Sequence, residues 1–199
     1  MIMPLVIALL IIGLGLLVLE LLTRYTKISE NILRKIVHVG LATSIIALSF
    51  IINYKDFISI GLVVAIVLVT VRGFVPLKTL SKSAKRSFGE ILFPIGVIIS
   101  AVASQTMFDF IAIIAILGYA DTVAYVIGTN VKSPKLLFNK SVAGSLGFMI
   151  VTFGILLLVV APLPAIGIAV LLTVTEALSP FGSDNIFVPI VASILLLSF

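Results

Sequence analysis

The sequence predicts an all-α protein, polytopic in a membrane, with about seven or eight spanning helices, and three observations carry that reading. Of 199 residues, 61% are hydrophobic and 11% charged, whereas roughly a quarter are charged in a soluble domain. The apolar residues gather in eight runs, several of them shorter than the roughly 20 residues that a helix needs to cross hydrocarbon, so that polar flanks must extend them or the bilayer must thin. The connections between runs are too short to hold a separate soluble domain, so residues 1–199 read as one integral membrane domain, with 1–33 an N-terminal helix and loop and 34–199 the core.

The runs are residues 2–22, 36–52, 57–71, 91–103, 110–127, 142–161, 163–178 and 186–199. Residues 1–4 lack the positive charges of a signal peptide, so the first run reads as a retained helix. The last run would rise only about 21 Å as a helix, which allows either an eighth span or a shallow terminal helix. The polar stretch 73–86 reads as a loop with room for a short interfacial helix, and Pro162 with Pro164 as a tight external turn.

Basic residues settle the orientation, because cytoplasmic loops are enriched in them. Arg24, Lys27, Arg34 and Lys35 lie in the first connection, Arg72, Lys78, Lys82, Lys85 and Arg86 in the third, and Lys132, Lys135 and Lys140 in the fifth; Lys55 alone lies in an even one. The odd connections are therefore cytoplasmic and the N-terminus outside. His38, Glu90, Asp121, Glu176 and Asp184 then all fall towards the cytoplasmic side. Helices that begin there offer free N–H groups and positive dipole ends to an anion.

The chain has no cysteine, which excludes thiolate and cysteine–zinc chemistry, and one histidine, which excludes a multi-histidine metal site within one chain. No nucleic-acid partner is expected. Small residues on helix faces pack helices within or between chains and leave the oligomeric state open.

The stretch 119–148, YADTVAYVIGTNVKSPKLLFNKSVAGSLGF, organises the rest. Asp121 stands inside an apolar run, where a carboxylate costs about 2.5–3.5 kcal/mol and so usually serves a cavity or pathway; the alternative is a hydrogen bond to a neighbouring helix. Tyr125 and Gly128 share its face at i+4 and i+7. Lys140, Ser141, Gly144, Ser145 and Gly147 open the next run and read as a phosphate cradle or, equally, as small-residue helix packing. No Walker A pattern occurs.

Glu176, near a helix C-terminus, opposes the dipole and needs a cation, either a metal ion or a loop lysine. Asp184 and Asn185 open the last run, where aspartate is an ordinary cap. Glu90 follows Ser87 at capping-box spacing, which explains it as well as a functional role does. His38 lies one turn after Arg34, so the pair faces a phosphate or headgroup, or the histidine is simply hydrogen-bonded at the interface. Glu20 with Arg24 reads as a helix-surface pair, and Asp56 and Asp109 as caps.

Five blocks in order, RKIVHVG (34–40), SFGEILFP (87–94), ADTVAYVIG (120–128), NKSVAGSLGF (139–148) and Glu176 followed by SDNIFVP (183–189), resemble the polyprenol kinase family of dolichol, phytol and yeast-type diacylglycerol kinases. The resemblance covers residue 34 to the end of the sequence. It implies a magnesium-dependent lipid-alcohol kinase that takes phosphate from CTP or another nucleoside triphosphate at the cytoplasmic face. It further implies Asp121, Glu176 and Asp184 as metal ligands, Asp121 as general base or metal anchor, and Lys140 with the backbone after it on the donor phosphates. Arg34, Lys35 and His38 would lie near the phosphate or the lipid hydroxyl.

The third and fourth blocks are also similar to part of the phosphatidate cytidylyltransferase signature, and SPK at 133–135 is a partial echo of it. The Asp184-Asn185…Pro189 block resembles the kinases, whereas the longer cytidylyltransferase segments are absent. A small ion-coupled transporter is the alternative of another class, since intramembrane acids alone would allow it. Clustering of the polar residues on one side argues against it.

Overall fold

The computed structural model describes Val6 and residues 29–74 and 89–199, in which every regular element is helical. The first apolar run apart from Val6, together with Glu20, Arg24, Lys27, Lys78, Lys82, Lys85, Arg86 and Ser87, lies outside the described residues, as do the side chains of Arg72 and Glu90.

Helix α1 (Glu30–Ser49) carries the second run. A 3-10 turn (Tyr54–Asp56) leads into α2 (Phe57–Phe74), which packs on α3 (Gly89–Ala103). Next come α4 (Met107–Ala115), a π-helical turn (Ile116–Ala120) and α5 (Asp121–Asn130), continuous as one rod. After the loop 131–141 come α6 (Val142–Leu156), α7 (Pro162–Leu178) and α8 (Asp184–Leu196). The rod Met107–Asn130 and the stretch Asn31–Ser49 are each long and apolar enough to cross a membrane.

The rod forms the axis of the bundle. Phe110, Ile113, Ile114 and Ile116 are fully buried, and Phe110 stacks on Phe57 with ring centroids 5.4 Å apart, tying the start of α2 to it. Helix α1 packs along α4 and the π turn, α6 along α5, α7 along α6, and α8 between α3 and α7. Val188, Ala192 and Leu196 are buried there, so the last run is a core helix and not a shallow terminal one.

Two crossings bring backbone against backbone. At Gly118, in the π turn, a Cβ would fall 2.2 Å from the Ala42 Cβ, so only glycine lets α1 lie this close. At Gly96, a Cβ would fall 2.0 Å from the Asn185 carbonyl oxygen. Pro189 has no N–H to offer that carbonyl, which leaves it bare for α3 to pack upon. These contacts fix the middle of α1 against the π turn and the start of α8 against α3.

Several local expectations are corrected. Asn53 caps the 3-10 turn, accepting from Lys55 N at 2.9 Å, and Asp56 ends that turn directly before α2. The cap of α4 is Thr106, and Asp109 completes its capping box from the N3 position. Pro162 and Pro164 lie in the first turn of α7, where a missing N–H costs nothing, and do not make a turn of their own. The run 142–161 stops being helical at Leu156, and Leu158, Val159 and Val160 close it with turn bonds. Lys55, the basic residue in an even connection, donates to the carbonyls of Ala101, Val102 and Ser104, capping the C-terminus of α3.

Candidate functional site

At one end of the bundle a cavity of about 900 Å³ opens between the starts of α1, α3 and α8, the end of α7, the whole of α5 and the loop 131–141. It is lined by Arg34, Lys35, His38, Asp121, Tyr125, Gly128, Lys140, Ser141, Gly144, Ser145, Glu176, Asp184 and Asn185. The structure thus gathers residues that lie up to 151 positions apart in sequence, from Arg34 to Asn185. Gly147 is not among them. It faces Ile127, whose side chain a Cβ there would overlap, and serves the contact of α6 with α5.

Three carboxylates converge. Asp121, Glu176 and Asp184 each present an oxygen within 4.8 Å of the others'. They come from separate elements, and the π turn immediately before Asp121 helps aim the first: one extra residue in a helical turn rotates everything after it by about 100°. All three are buried, Glu176 at 2% exposure. Its Oε2 has no hydrogen-bond partner although it is fully enclosed, an uncommon condition for a buried carboxylate.

Two lysines offset part of the cluster's charge. Lys35 donates to Asp121 and lies over the Tyr125 ring, 5.6 Å from its centroid. Lys140 donates to Glu176 and, at 3.1 Å, to Asp184. Burial alone would lower the Lys140 pKa, but Asp184, Glu176 and Asp121 outweigh it and hold the ammonium above its ordinary value. Lys140 was expected on phosphate. It is found on carboxylates, answering the need of Glu176 for a cation with a loop lysine.

The cradle expected at the start of α6 is not open. Val142 N donates to the Pro134 carbonyl, Ala143 N to Ser133 Oγ, Gly144 N to Ser141 Oγ and Ser145 N to the Ser141 carbonyl. Ser141 caps as expected, and with every first-turn N–H engaged, the backbone has none left for an anion. Gly144 and Gly128 instead let α5 and α6 touch: a Cβ on Gly144 would meet the Ala124 carbonyl oxygen at 2.7 Å. Packing is thus the role the structure gives these glycines.

His38 faces Asn185 Oδ1 at 3.2 Å, with its ring edge-on to Phe93. The Asn185 amide donates to Gly182 O and Gly89 O, so its oxygen faces the imidazole. His38 therefore bridges α1 to α8, the hydrogen-bonded role. Asp184 is the first residue of α8, and its Oδ1 accepts from Asn185 N at 3.0 Å while Oδ2 meets Lys140.

The sequence reading missed Lys135, Phe138 and Phe181, which also line the cavity. A signal was present for the phenylalanines: each precedes a turn-forming residue, Asn139 or Gly182. The carboxylate cluster has the hard oxygen donors that magnesium prefers, and the orphaned Glu176 oxygen offers it an unused ligand. The residues present therefore fit a divalent cation. Comparison of the chain with models of known families, with curated proteins and with solved structures found no match.

Proposed function

We propose that the protein is a multi-pass membrane enzyme that phosphorylates the hydroxyl of a lipid alcohol of isoprenoid type, with CTP or another nucleoside triphosphate as donor and magnesium as cofactor. The observation that carries this reading is one cavity, at one end of the bundle, in which three buried carboxylates face Arg34, Lys35, Lys135 and Lys140. Identity of donor and acceptor rests on the resemblance of the five sequence blocks.

Membrane residence is supported by the outer surface. Ile36, Leu62, Ile66, Ile150, Leu163 and Ile194 are all more than half exposed, a covering that water would not favour. The basic cavity end faces the cytoplasm on this reading, where a soluble nucleotide meets a hydroxyl held at the interface while its tail stays in lipid.

Asp121, Glu176 and Asp184 would hold the metal, which supplies charge neutralisation at the donor phosphates when bound. Arg34 lines the same cavity and would complement the remaining phosphate charge, whereas Lys35 and Lys140 would turn to phosphate only once the metal takes over the carboxylates they hold. The alcohol oxygen attacks the γ-phosphorus, the bond from that phosphorus to the β,γ-bridging oxygen breaks, and the nucleoside diphosphate departs. Asp121 is the first candidate to accept the alcohol proton, or else to anchor the metal. Catalysis of this kind is mainly positioning and electrostatics.

Transport fits less well. Among the described residues at the far end, Lys55 and Asp109 are committed to helix caps, so no matching polar entrance is provided there. The test is transfer of γ-label to phytol, geranylgeraniol, dolichol or diacylglycerol in mixed micelles, with and without chelator. Labelled lipid that disappears on chelation supports the reading, and label transfer undiminished by exhaustive chelation contradicts the metal's part in it.

A further inference from the structure

A few buried side-chain oxygens among the described residues have no hydrogen-bond partner, and two of them, Ser145 Oγ and Glu176 Oε2, belong to residues that line the cavity. They stand on α6 and α7, which pack along each other. A buried polar atom normally has a partner, and one that lacks it calls for an explanation.

The serine is unusual within its own fold. A hydroxyl inside a helix has an acceptor at hand in the carbonyl four residues back. Ser100, Thr122, Thr129 and Thr173 use it, at 2.7–2.9 Å. Ser145 does not, although the Ser141 carbonyl stands at that place and accepts Ser145 N at 2.9 Å. Its oxygen is enclosed in the cavity wall and bonded to nothing. Thr152 and Ser193 also lack this bond, but neither lines the cavity.

The glutamate narrows what can satisfy both atoms. Its Oε1 accepts from Lys140, and the residue is 2% exposed, so bulk water does not solvate Oε2. A phosphate oxygen would suit the hydroxyl but be repelled by the carboxylate. The lysines at the cluster are engaged, Lys35 on Asp121 and Lys140 on Glu176 Oε1 and Asp184. A divalent cation takes both free atoms as they stand, because hard cations accept carboxylate and neutral oxygen ligands alike. Serine and threonine hydroxyls hold magnesium in other phosphoryl-transfer sites.

We infer that Ser145 Oγ is a ligand of the divalent cation, beside Glu176 Oε2. The inference rests on the proposed magnesium-dependent reading and adds a neutral side chain to Asp121, Glu176 and Asp184. A neutral ligand strengthens the hold on the metal without adding negative charge, so the phosphates of the donor are not further repelled.

Two variants test this by binding alone. The chain has no cysteine, so Ser145→Cys carries a single thiol, and thiolates favour soft metals. Cadmium added to purified Ser145→Cys is expected to raise an ultraviolet thiolate-to-metal charge-transfer band that wild type lacks and that Glu176→Gln in the same chain weakens. Ser145→Ala removes a hydroxyl with no partner, so without metal it is expected to melt no lower than wild type. Its manganese affinity, read by spin resonance, is expected to fall about tenfold. Equal manganese affinity in wild type and Ser145→Ala would overturn the inference and leave the metal reading standing, and a raised KM for CTP beside it would move the hydroxyl to the donor phosphates. Cadmium bound to Ser145→Cys, by calorimetry, without the band would also overturn it. Absence of manganese binding by wild type, with or without nucleotide, would remove the inference and the metal reading together.

Discussion

Lys140 and Asp184 meet across the mouth of the cavity, Nζ to Oδ2 at 3.1 Å, one near the end of the loop 131–141 and the other at the start of α8. The same ammonium also engages Glu176. A cation belonging to the chain thus sits among carboxylates that are well disposed to hold a metal, which ties loop position, charge balance and metal affinity together.

Metal affinity is the first consequence. Because Lys140 and a divalent ion draw on the same oxygens, Lys140→Gln is expected to bind manganese at least about tenfold more tightly without nucleotide, given the strength of unit-charge interactions at short range. Titration calorimetry or manganese spin resonance on purified protein reads this directly. Weaker binding in the variant would show that the ammonium does not compete with the metal.

The Lys35–Asp121 pair separates stability from chemistry. Breaking a buried pair from one side costs about 3–5 kcal/mol, so Asp121→Asn and Lys35→Met are each expected to lower the melting temperature. The double variant should recover part of that loss, and every variant lacking Asp121 should lose turnover. A folded, monodisperse Asp121→Asn enzyme with wild-type turnover would remove Asp121 from the chemistry.

The Lys140 pair also has a pH signature. Its ammonium is held above the ordinary value of 10.5, so the folded-state value exceeds the unfolded one. The stability it contributes is complete below about 10.5 and is lost as pH rises beyond that towards the folded value. The difference in melting temperature between wild type and Lys140→Met should therefore be constant from pH 7 to about 10 and shrink above it. A difference that already falls between pH 7 and 9 would contradict this.

At the other end, Lys55 caps three carbonyls of α3 and the segment after it. Lys55→Met is expected to cost about 1–2 kcal/mol while leaving KM for donor and acceptor unchanged, because the cavity lies at the opposite end. Gly96→Ala should do more, since its methyl would overlap the Asn185 carbonyl and push α8, with Asp184, out of place. Retained activity with an unchanged melting temperature in Gly96→Ala would show that this crossing does not set the site.

Much of the site was legible because a charge in an apolar run is rare and needs a reason: Asp121 and Glu176 stood out for that, whereas Asp184, at the start of a run, read as an ordinary cap and was singled out only by the resemblance. The all-helical fold was legible for the same reason of composition. What the sequence could not show was pairing at a distance. Lys140 has the chemistry of a phosphate ligand, yet its partners lie 36 and 44 residues away. The start of α6 has the residues of an anion cradle, yet carbonyls and Ser133 from the preceding loop had already taken its N–H groups. The π turn before Asp121 and the left-handed backbone at Phe138, Asn139 and Phe181 leave no periodicity to read, because each departs from the regular geometry on which such patterns depend.

The central claim is a lipid-alcohol kinase, and the measurement that addresses it most directly is the fate of α- and γ-label from CTP with the purified protein in mixed micelles. With magnesium and a panel of isoprenoid alcohols and diacylglycerol, the expected result is lipid carrying γ-label alone, and none with Asp121→Asn. Phosphatidate that instead gains α-label would make the enzyme a cytidylyltransferase and contradict the claim.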